Sequence, residues 1–133
     1  MREYKFRGIS IETLVGDDQW LYGFGVHEVA YVEGRKEYWL NTESGTYMVD
    51  PETVGQYTGK KDEEKNEIFD GDKLYAPGNL DADLQYVGTV EWDDNDNRWE
   101  VASFHGRFEY IPDGCFVRGS RWDNPDLLEG GYE

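Results

Sequence analysis

The residues of this chain best suited to binding a metal ion form one acidic run, Asp93-Asp94-Asn95-Asp96-Asn97. Asp93, Asn95 and Asn97 match ligand positions 1, 3 and 5 of a calcium loop, which surround the cation with oxygen atoms. Position 6 of such a loop is glycine and position 12 is glutamate, but the sequence has Arg98 and Phe104 there. The run therefore predicts an acidic turn, because Asp and Asn readily form turns.

The histidines and the cysteine are the other groups that could hold zinc or act as base or nucleophile. His27 and His105 lie far apart in the sequence, without a second His or Cys at ligand spacing. Cys115 is the only cysteine, which excludes an intrachain disulfide, and its position between a turn and Phe116-Val117 predicts a buried thiol in a strand. A small metal-dependent enzyme remains an alternative if His27 or His105 meets two or more carboxylates in a pocket.

Sequence motifs for nucleophilic catalysis and cofactor binding are missing. The four serines stand in no nucleophile-elbow context, and Gly23-Phe24-Gly25 neither continues into the glycine pattern of a dinucleotide loop nor opens a helix. Carboxylate pairs at the spacing used by glycosidases are expected by chance among 29 acidic residues. We therefore expect no catalytic, cofactor-binding or metal-binding residues, no cofactor, and a protein that is not an enzyme.

The elements that must position these groups are strands, because alternating runs rich in β-branched and aromatic residues dominate the sequence. The predicted strands cover residues 20–32, 37–40, 46–49, 73–76, 86–92, 99–104, 108–111 and 115–117. Turn-forming clusters at 42–45, 93–97 and 112–114 each separate two of these runs and predict three hairpins.

The end of the chain carries the one helix signal. Asn124 can cap a helix whose first position is Pro125, and Gly130 offers a stop, which predicts a short helix over 123–129. The predicted fold is mainly β, with antiparallel strands that form an SH3-like barrel or sandwich and a short C-terminal helix. Gly88 precedes a strand as in small SH3-like barrels, at a bend where a side chain would clash.

The domain expectation is a single unit over residues 1–133. A subdivision near Asp50-Pro51 is possible, and it would separate an N-terminal hairpin part, 1–50, from a barrel-like part, 51–133.

The charge of the chain restricts its partners. Among 133 residues, 29 Asp and Glu face 13 Lys and Arg, for a net charge of −16. Such a surface repels phosphate backbones and anionic lipid, so direct binding to nucleic acid or a membrane is not expected. The two small basic groups are expected to pair with acids on neighbouring strands; they are Arg2, Lys5 and Arg7, and Arg107, Arg118 and Arg121.

The large aromatic residues indicate a folded chain, because they need burial partners. They could instead stack on nucleic-acid bases, but such platforms work beside a cationic groove, and packing in a small β-core is the favoured interpretation. The candidates are Trp20, Tyr22, Trp39, Trp92, Trp99 and Trp122.

Three blocks of sequence resemble the signature of the YopX family of phage and prophage proteins. The first runs from Val54-Gly55-Gln56-Tyr57-Thr58-Gly59-Lys60-Lys61-Asp62 to Glu67-Ile68-Phe69-Asp70-Gly71-Asp72, and the others lie at 2–8 and 117–128. The signature positions are Gln56, Tyr57, Thr58, Gly59, Asp62, Ile68, Gly71, Asp72, Gly119, Asn124 and Pro125. The resemblance implies a β-rich fold and a phage or prophage accessory gene, and it carries no activity or catalytic residue.

One residue departs from the family pattern. Lys65 stands where the family has glycine in this turn. A positive φ costs a residue other than glycine about 1 kcal/mol, so we expect a different turn or a left-handed Asn66.

The functional expectation is a phage- or prophage-derived accessory protein that binds a host or phage protein in the cytoplasm of the host cell. The cytoplasm fits the single cysteine and the charged residues after Met1, where a secretory signal would be apolar. One alternative is an acidic DNA mimic that inhibits a host DNA-binding protein, with carboxylates spaced like phosphates. The other is the metal-dependent enzyme described above. Exposed strand edges also make a homo-oligomer possible.

Overall fold

The computed structural model describes residues 4–12, 19–78, 83–103 and 106–122. The chain divides into two compact units, Met1–Gly59 and Lys60–Glu133. Each unit is built from antiparallel strands, so the predicted mainly β, antiparallel fold is confirmed.

The first unit has its strands at β1 Phe6–Ile9, β2 Trp20–Gly23, β3 Gly25–Ala30, β4 Lys36–Thr42 and β5 Gly45–Val49. A single 3-10 turn, Pro51–Thr53, precedes β6, Gly55–Lys61, which begins in this unit and ends in the second. Strand β1 pairs with β2 and with the start of β6. Strands β3, β4 and β5 form a three-stranded sheet in that order.

Side chains of the first unit meet at Leu40 and Val49, which are both fully buried. Gly8 of β1 lies against Val49 so closely that an added Cβ would stand 3.0 Å from the Cβ of Val49. The hairpin between β4 and β5 is closed by Thr42, whose Oγ1 accepts from the N–H of Ser44 at 3.2 Å and donates to the carbonyl of Gly45 at 2.8 Å.

The second unit has its strands at β7 Glu67–Phe69, β8 Asp72–Pro77, β9 Leu84–Asp93, β10 Arg98–Ser103, β11 Gly106–Phe108 and β12 Phe116–Ser120. Five of them form a sheet in the order β11-β10-β9-β8-β12. Strand β12, the last in the chain, therefore pairs with β8, the first of these five in the chain. Strand β7 is a hydrogen-bonded neighbour of β6. The core contains Ile68, Leu74, Val90, Val101, Ile111 and Cys115.

Gly88 lies inside β9 where another strand comes very close. An added Cβ would stand 2.5 Å from Cγ1 of Val101 and 2.6 Å from the carbonyl oxygen of Ala102 in β10. The ladder to β8 also shifts register here, between Leu74 and Tyr75. The predicted close approach at Gly88 is therefore confirmed.

Two of the three predicted hairpins are confirmed. The turn at 42–45 joins β4 to β5, and the turn at 93–97 joins β9 to β10. The prediction of a hairpin at 112–114 is wrong, because the strands on either side of this turn, β11 and β12, do not pair with each other. Strand β11 pairs with β10, and β12 pairs with β8. Residues from the β6–β7 segment hold this turn instead: Glu63 accepts from the N–H of Gly114 at 3.1 Å, and Lys60 donates to the carbonyl of Ile111 at 2.7 Å.

Other strand predictions were incomplete. The run predicted at 20–32 is interrupted at Phe24, whose N–H donates to the carbonyl of Asn41 at 2.9 Å. Of the run predicted at 108–111, only Phe108 is in a strand, as the last residue of β11, Gly106–Phe108. Strands β1, β6 and β7 were not predicted, because these short segments lack clear alternation.

The remaining fold expectations are not settled by the described residues. Among the described strands, none of the sheets closes into a barrel, and the SH3-like arrangement stays a prediction. The helix predicted over 123–129 lies outside the described residues. The single domain over 1–133, with its subdivision into 1–50 and 51–133, also stays a prediction.

We expect Gly88→Ala to lower the free energy of unfolding by about 1–3 kcal/mol, because a methyl group forced into a packed core moves its neighbours. Urea denaturation measures the change. Gly25→Ala is the matched control, since its added Cβ would meet only Nδ2 of Asn41 at 3.7 Å, an ordinary contact. Equal unfolding midpoints for wild type and Gly88→Ala would contradict the close approach.

Candidate functional site

The first signature positions lie in β6, where they take part in strand pairing and determine the backbone conformation. Gln56 is paired opposite Phe6 of β1. The N–H of Tyr57 donates to the carbonyl of Lys5 at 2.7 Å, and the Tyr57 ring is buried. Thr58 lies between Tyr57 and Gly59 in the strand, and Gly59 adopts a φ of 90°, which favours glycine.

Asp62 follows β6, and its carboxylate accepts four hydrogen bonds. Its Oδ1 accepts from the N–H groups of Glu64 and Asn66, each at 2.8 Å. Its Oδ2 accepts from Nδ2 of Asn66 at 3.2 Å and from the N–H of Val117 in β12 at 2.9 Å. One side chain thus closes its own turn and fixes a distant strand.

These donors also set the charge state of Asp62. The side chain is only 6% exposed. Burial alone would raise the pKa of the Asp62 carboxyl. The hydrogen bonds from Val117, Asn66 and Glu64 together lower the pKa by more than burial raises it, so the pKa lies below its ordinary value. Asp62 is therefore a structural anion, and its lone pairs are occupied by N–H groups of the protein.

Lys65 adopts the left-handed conformation itself, with a φ of 69°. The expectation that the turn changes or that Asn66 becomes left-handed is therefore wrong. The reason is the hydrogen bonding of the turn: the N–H of Lys65 donates to the carbonyl of Asp62 at 3.0 Å, and the N–H of Asn66 reaches the Asp62 carboxylate. These bonds hold the left-handed backbone at Lys65.

The second group of signature positions shapes the turn between β7 and β8. Gly71 has a φ of 92°, its N–H donates to the carbonyl of Val90, and its own carbonyl accepts from the N–H of Arg121, both at 2.9 Å. Asp72 is buried and its Oδ2 accepts from the N–H of Phe69 at 2.8 Å. Ile68 belongs to the core of the unit.

The last signature positions belong to the end of the chain. Gly119 has a φ of 88° at the irregular part of β12, where the register shifts between Val117 and Ser120. Asn124 and Pro125 lie outside the described residues. The described signature residues thus form turns, ladders and core, and they do not converge on a pocket that could hold a substrate.

The acidic turn between β9 and β10 has the geometry predicted from its sequence. Oδ1 of Asp93 accepts from the N–H groups of Asn95 at 2.8 Å and Asp96 at 3.3 Å. Within the described ranges, Asp93, Asp96 and Glu100 form a group close enough to share a cation. However, Arg98 already lies 3.1 Å from Asp96 and 3.0 Å from Glu100.

Arginines of the second unit pair with acids, and for Arg107 of β11 the predicted pairing with an acid on a neighbouring strand is confirmed by Glu100 of β10. Glu100 has a side chain only 3% exposed and accepts from Arg98 at 3.0 Å and Arg107 at 3.2 Å. Arg107 also reaches Glu91 at 2.9 Å. Arg121 and Arg118 pair with acids as well, with Glu91 and Glu64 respectively. In the first unit, Arg7 lies over the ring of Trp20 at 4.3 Å, and Arg2 lies outside the described residues.

The predicted burial of Cys115 is confirmed, since its side chain lies in the core cluster of the second unit, but the residue comes just before β12 and is not in a strand. Burial raises the pKa of the Cys115 thiol, with Lys60 acting in the opposite direction, so the thiol is kept protonated. The adjoining cavity is about 20 Å³, the size of a single water molecule. His27 lies exposed on β3, opposite Trp39, and His105 is outside the described residues.

Most of the large aromatic residues are at least partly buried. Trp92 and Trp99 pack edge to face with their ring centroids 5.0 Å apart, and Trp99 also packs on the core. Trp20 and Trp39 are half-buried, and so is Trp122. Tyr22 and Trp92 keep a considerable exposed fraction.

One concave surface in the described part of the first unit was not predicted. It is an open groove of about 510 Å³, which we call the aromatic groove, lined by Tyr4, Lys5, Tyr22, Gly23, Phe24, Thr42, Glu43 and Ser44. Tyr4 and Phe24 are each 60% exposed, and Tyr22 is 47% exposed. The only sequence signal was Phe24 between two glycines, where the strand pattern loses its regular alternation.

Comparison with known proteins identifies one family. The family model described as YopX protein matches residues 18–129 of the chain. No curated protein sequence matches the chain. In the described residues, no helix has the length and apolar character needed to cross a membrane.

We expect Asp62→Asn to lower the free energy of unfolding at pH 7 by about 2 kcal/mol, because an amide loses charge-assisted bonds from backbone N–H groups. Since the folded-state pKa is depressed, this stabilisation is complete above about pH 4 and is lost as pH falls through the folded pKa. Urea denaturation of both proteins at several pH values measures it. A difference that does not shrink in acid would contradict the charge assignment.

We expect Lys65→Gly to raise the free energy of unfolding by up to about 1 kcal/mol, because glycine adopts a positive φ without the steric cost. The control is Lys61→Gly at the end of β6, which should destabilise the protein because Lys61 has no positive φ and glycine there only increases the freedom of the unfolded chain. Urea denaturation measures both changes. Destabilisation by Lys65→Gly would show that the lysine side chain itself supports the turn.

Proposed function

Since the chain belongs to the YopX family, we propose that it is a phage or prophage accessory protein that acts by binding another protein. The observation that carries this proposal is the aromatic groove of the first unit. It combines three exposed aromatic rings with a polar rim.

The rings of Tyr4, Tyr22 and Phe24 are what a protein interface needs at its centre. Aromatic residues are enriched in the cores of interfaces and among the residues that contribute most binding free energy. A cluster of large apolar side chains on one concave surface has a cost in water unless a partner covers it. Lys5 and Glu43 on the rim supply opposite charges that can orient a partner.

The proposal that the protein is not an enzyme is supported by the groups that could have reacted. The thiol of Cys115 is buried and protonated, and the carboxylates of Asp62 and Asp72 are held by backbone N–H groups. His27, the described histidine, is exposed on β3, and the acidic turn group of Asp93, Asp96 and Glu100 contains no histidine. These observations also speak against the metal-dependent alternative.

DNA mimicry is the alternative that the net charge of −16 suggests. A mimic needs carboxylates free to stand where phosphates stand, but several in the second unit lie 2.9–3.1 Å from an arginine, namely Glu64, Glu91, Asp96, Glu100 and Glu109. Their charge is partly compensated. The groove is therefore the better-supported binding surface.

We further propose that the protein works in the host cytoplasm. The support is its single cysteine, a free buried thiol in a chain without a disulfide. Self-association through a strand edge stays open as an additional property, and the experiment below reports on it.

The test is capture of host proteins by the tagged chain, comparing the wild type with the triple variant Tyr4→Ser, Tyr22→Ser, Phe24→Ser. We expect the wild type to retain a partner at stoichiometric yield and the triple variant to lose at least about tenfold in affinity for it. The matched control is Phe108→Ser with Tyr110→Ser, which removes two exposed rings from the second unit.

The possible outcomes separate the functions. Equal capture by the wild type and the groove variant, or no stoichiometric partner at all, would contradict the proposal. Capture of a DNA-binding protein that persists in the groove variant and weakens with salt would favour mimicry. Capture of a second copy of the chain alone would indicate self-association.

A further inference from the structure

Strand β3 forms an outer edge of the three-stranded sheet, with β4 on one side and none of the other described strands on its other side. The N–H of Tyr31 donates to the carbonyl of Arg35 at 2.8 Å, which fixes the hydrogen-bonding alternation along the hairpin. Gly25, His27 and Val29 therefore bond to β4. Val26, Glu28 and Ala30 direct their N–H and carbonyl groups away from β4, toward the open edge.

This edge lacks the features that normally block strand addition. Proteins protect edges with proline, lysine, bulges or unpaired charges, but β3 contains neither proline nor lysine. Its one acid, Glu28, is engaged within the hairpin: it accepts from the Tyr38 hydroxyl at 2.7 Å and lies 3.8 Å from Nζ of Lys36. A row of main-chain donors and acceptors about 20 Å long is thus available for an added strand.

We propose that β3 binds an extended, basic segment of the partner protein as an additional β-strand. This proposal rests on the proposed function, because β3 begins immediately after Phe24 of the aromatic groove. Main-chain hydrogen bonds would provide affinity, and side chains of the added strand would provide specificity. The groove would then receive side chains at one end of the same bound segment.

A second copy of this chain is a poor occupant of the edge. Two copies of β3 related by a twofold axis perpendicular to the sheet would pair as antiparallel strands, and the residue on the axis would face itself. The registers that pair most of β3 place residue 27 or residue 28 on the axis. The second of these registers places Glu28 opposite Glu28, and like charges directly opposite are destabilising. Two chains of net charge −16 also repel each other.

Charge favours a basic segment. A net charge of −16 attracts cationic partners and raises their association rate. At the edge itself, the Glu28 side chain remains 39% exposed despite its contacts within the hairpin, so a lysine or arginine opposite it would add a favourable cross-strand pair. Acidic segments of equal length and apolar content would lack both contributions.

The direct test follows the exchange of single amide hydrogens by NMR in the full chain. The probe is a blocked hexapeptide of alternating Lys and Val at millimolar concentration, and the matched control has Glu in place of Lys. We expect the amides of Val26, Glu28 and Ala30 to exchange quickly in the free chain and at least about tenfold more slowly with the basic peptide. Those of His27 and Val29, bonded to β4, should be protected throughout.

Two substitutions at the same position sharpen the test. Glu28→Pro removes an outward N–H while leaving the β4 ladder in place, and proline is tolerated on strand edges. It should abolish the peptide effect, with protection at His27 and Val29 showing that the hairpin is intact. Glu28→Lys should narrow the difference between the two peptides, because the charge at the edge changes sign while the chain as a whole stays strongly acidic.

Three results would overturn the proposal. The outward amides could be protected already in the free chain, they could gain protection with chain concentration alone, or saturating basic peptide could leave them unprotected. The capture experiment separates this proposal from the proposed function. If Glu28→Pro retains the partner that the groove variant loses, protein binding stands and strand addition fails.

Discussion

The carboxylate of Asp62 is the interaction on which the second unit depends most. Asp62 is buried where the turn after β6 contacts β12, the strand that pairs with β8. A buried anion is stable only when its lone pairs are occupied. Donors from its own turn and from Val117 meet this requirement. Glu100 meets the same requirement with two arginines. In a chain with such an excess of acids, these pairings decide where strands can lie.

The residues that hold the turns and strands together differ from those of the proposed binding surface. Signature residues such as Gly71 and Asp72 use their backbone and carboxylate groups in the turn between β7 and β8. In the first unit, by contrast, Tyr4 and Phe24 stand exposed and β3 keeps an open edge. The proposed binding surface therefore consists of features that the described strand pairings do not use.

Local sequence signals predicted the parts of the fold that depend on local chemistry. The turns at 42–45 and 93–97, the buried Cys115 and the close approach at Gly88 all follow from residues near in sequence or from residue type. The predicted hairpin at 112–114 failed because the partner of β12 is chosen by contacts with residues about 50 positions earlier in the chain, as the bond from Val117 to Asp62 shows.

The left-handed Lys65 and the aromatic groove escaped prediction for related reasons. The turn of Lys65 is dictated by hydrogen bonds to the carbonyl and carboxylate of Asp62, which outweigh the preference of the residue itself. The exposure of Tyr4 and Phe24 depends on which strands end beside them, and alternation along one strand contains no such information. Both features require the three-dimensional pairing of distant segments.

The most direct test of this account is an NMR titration of the Asp62 carboxyl carbon in the intact chain. The account predicts a midpoint below the ordinary pKa of 3.8, with the amide signals of Glu64, Asn66 and Val117 moving at the same midpoint. A midpoint at or above the ordinary pKa, or amides that do not respond, would show that a buried, hydrogen-bonded anion does not organise this fold.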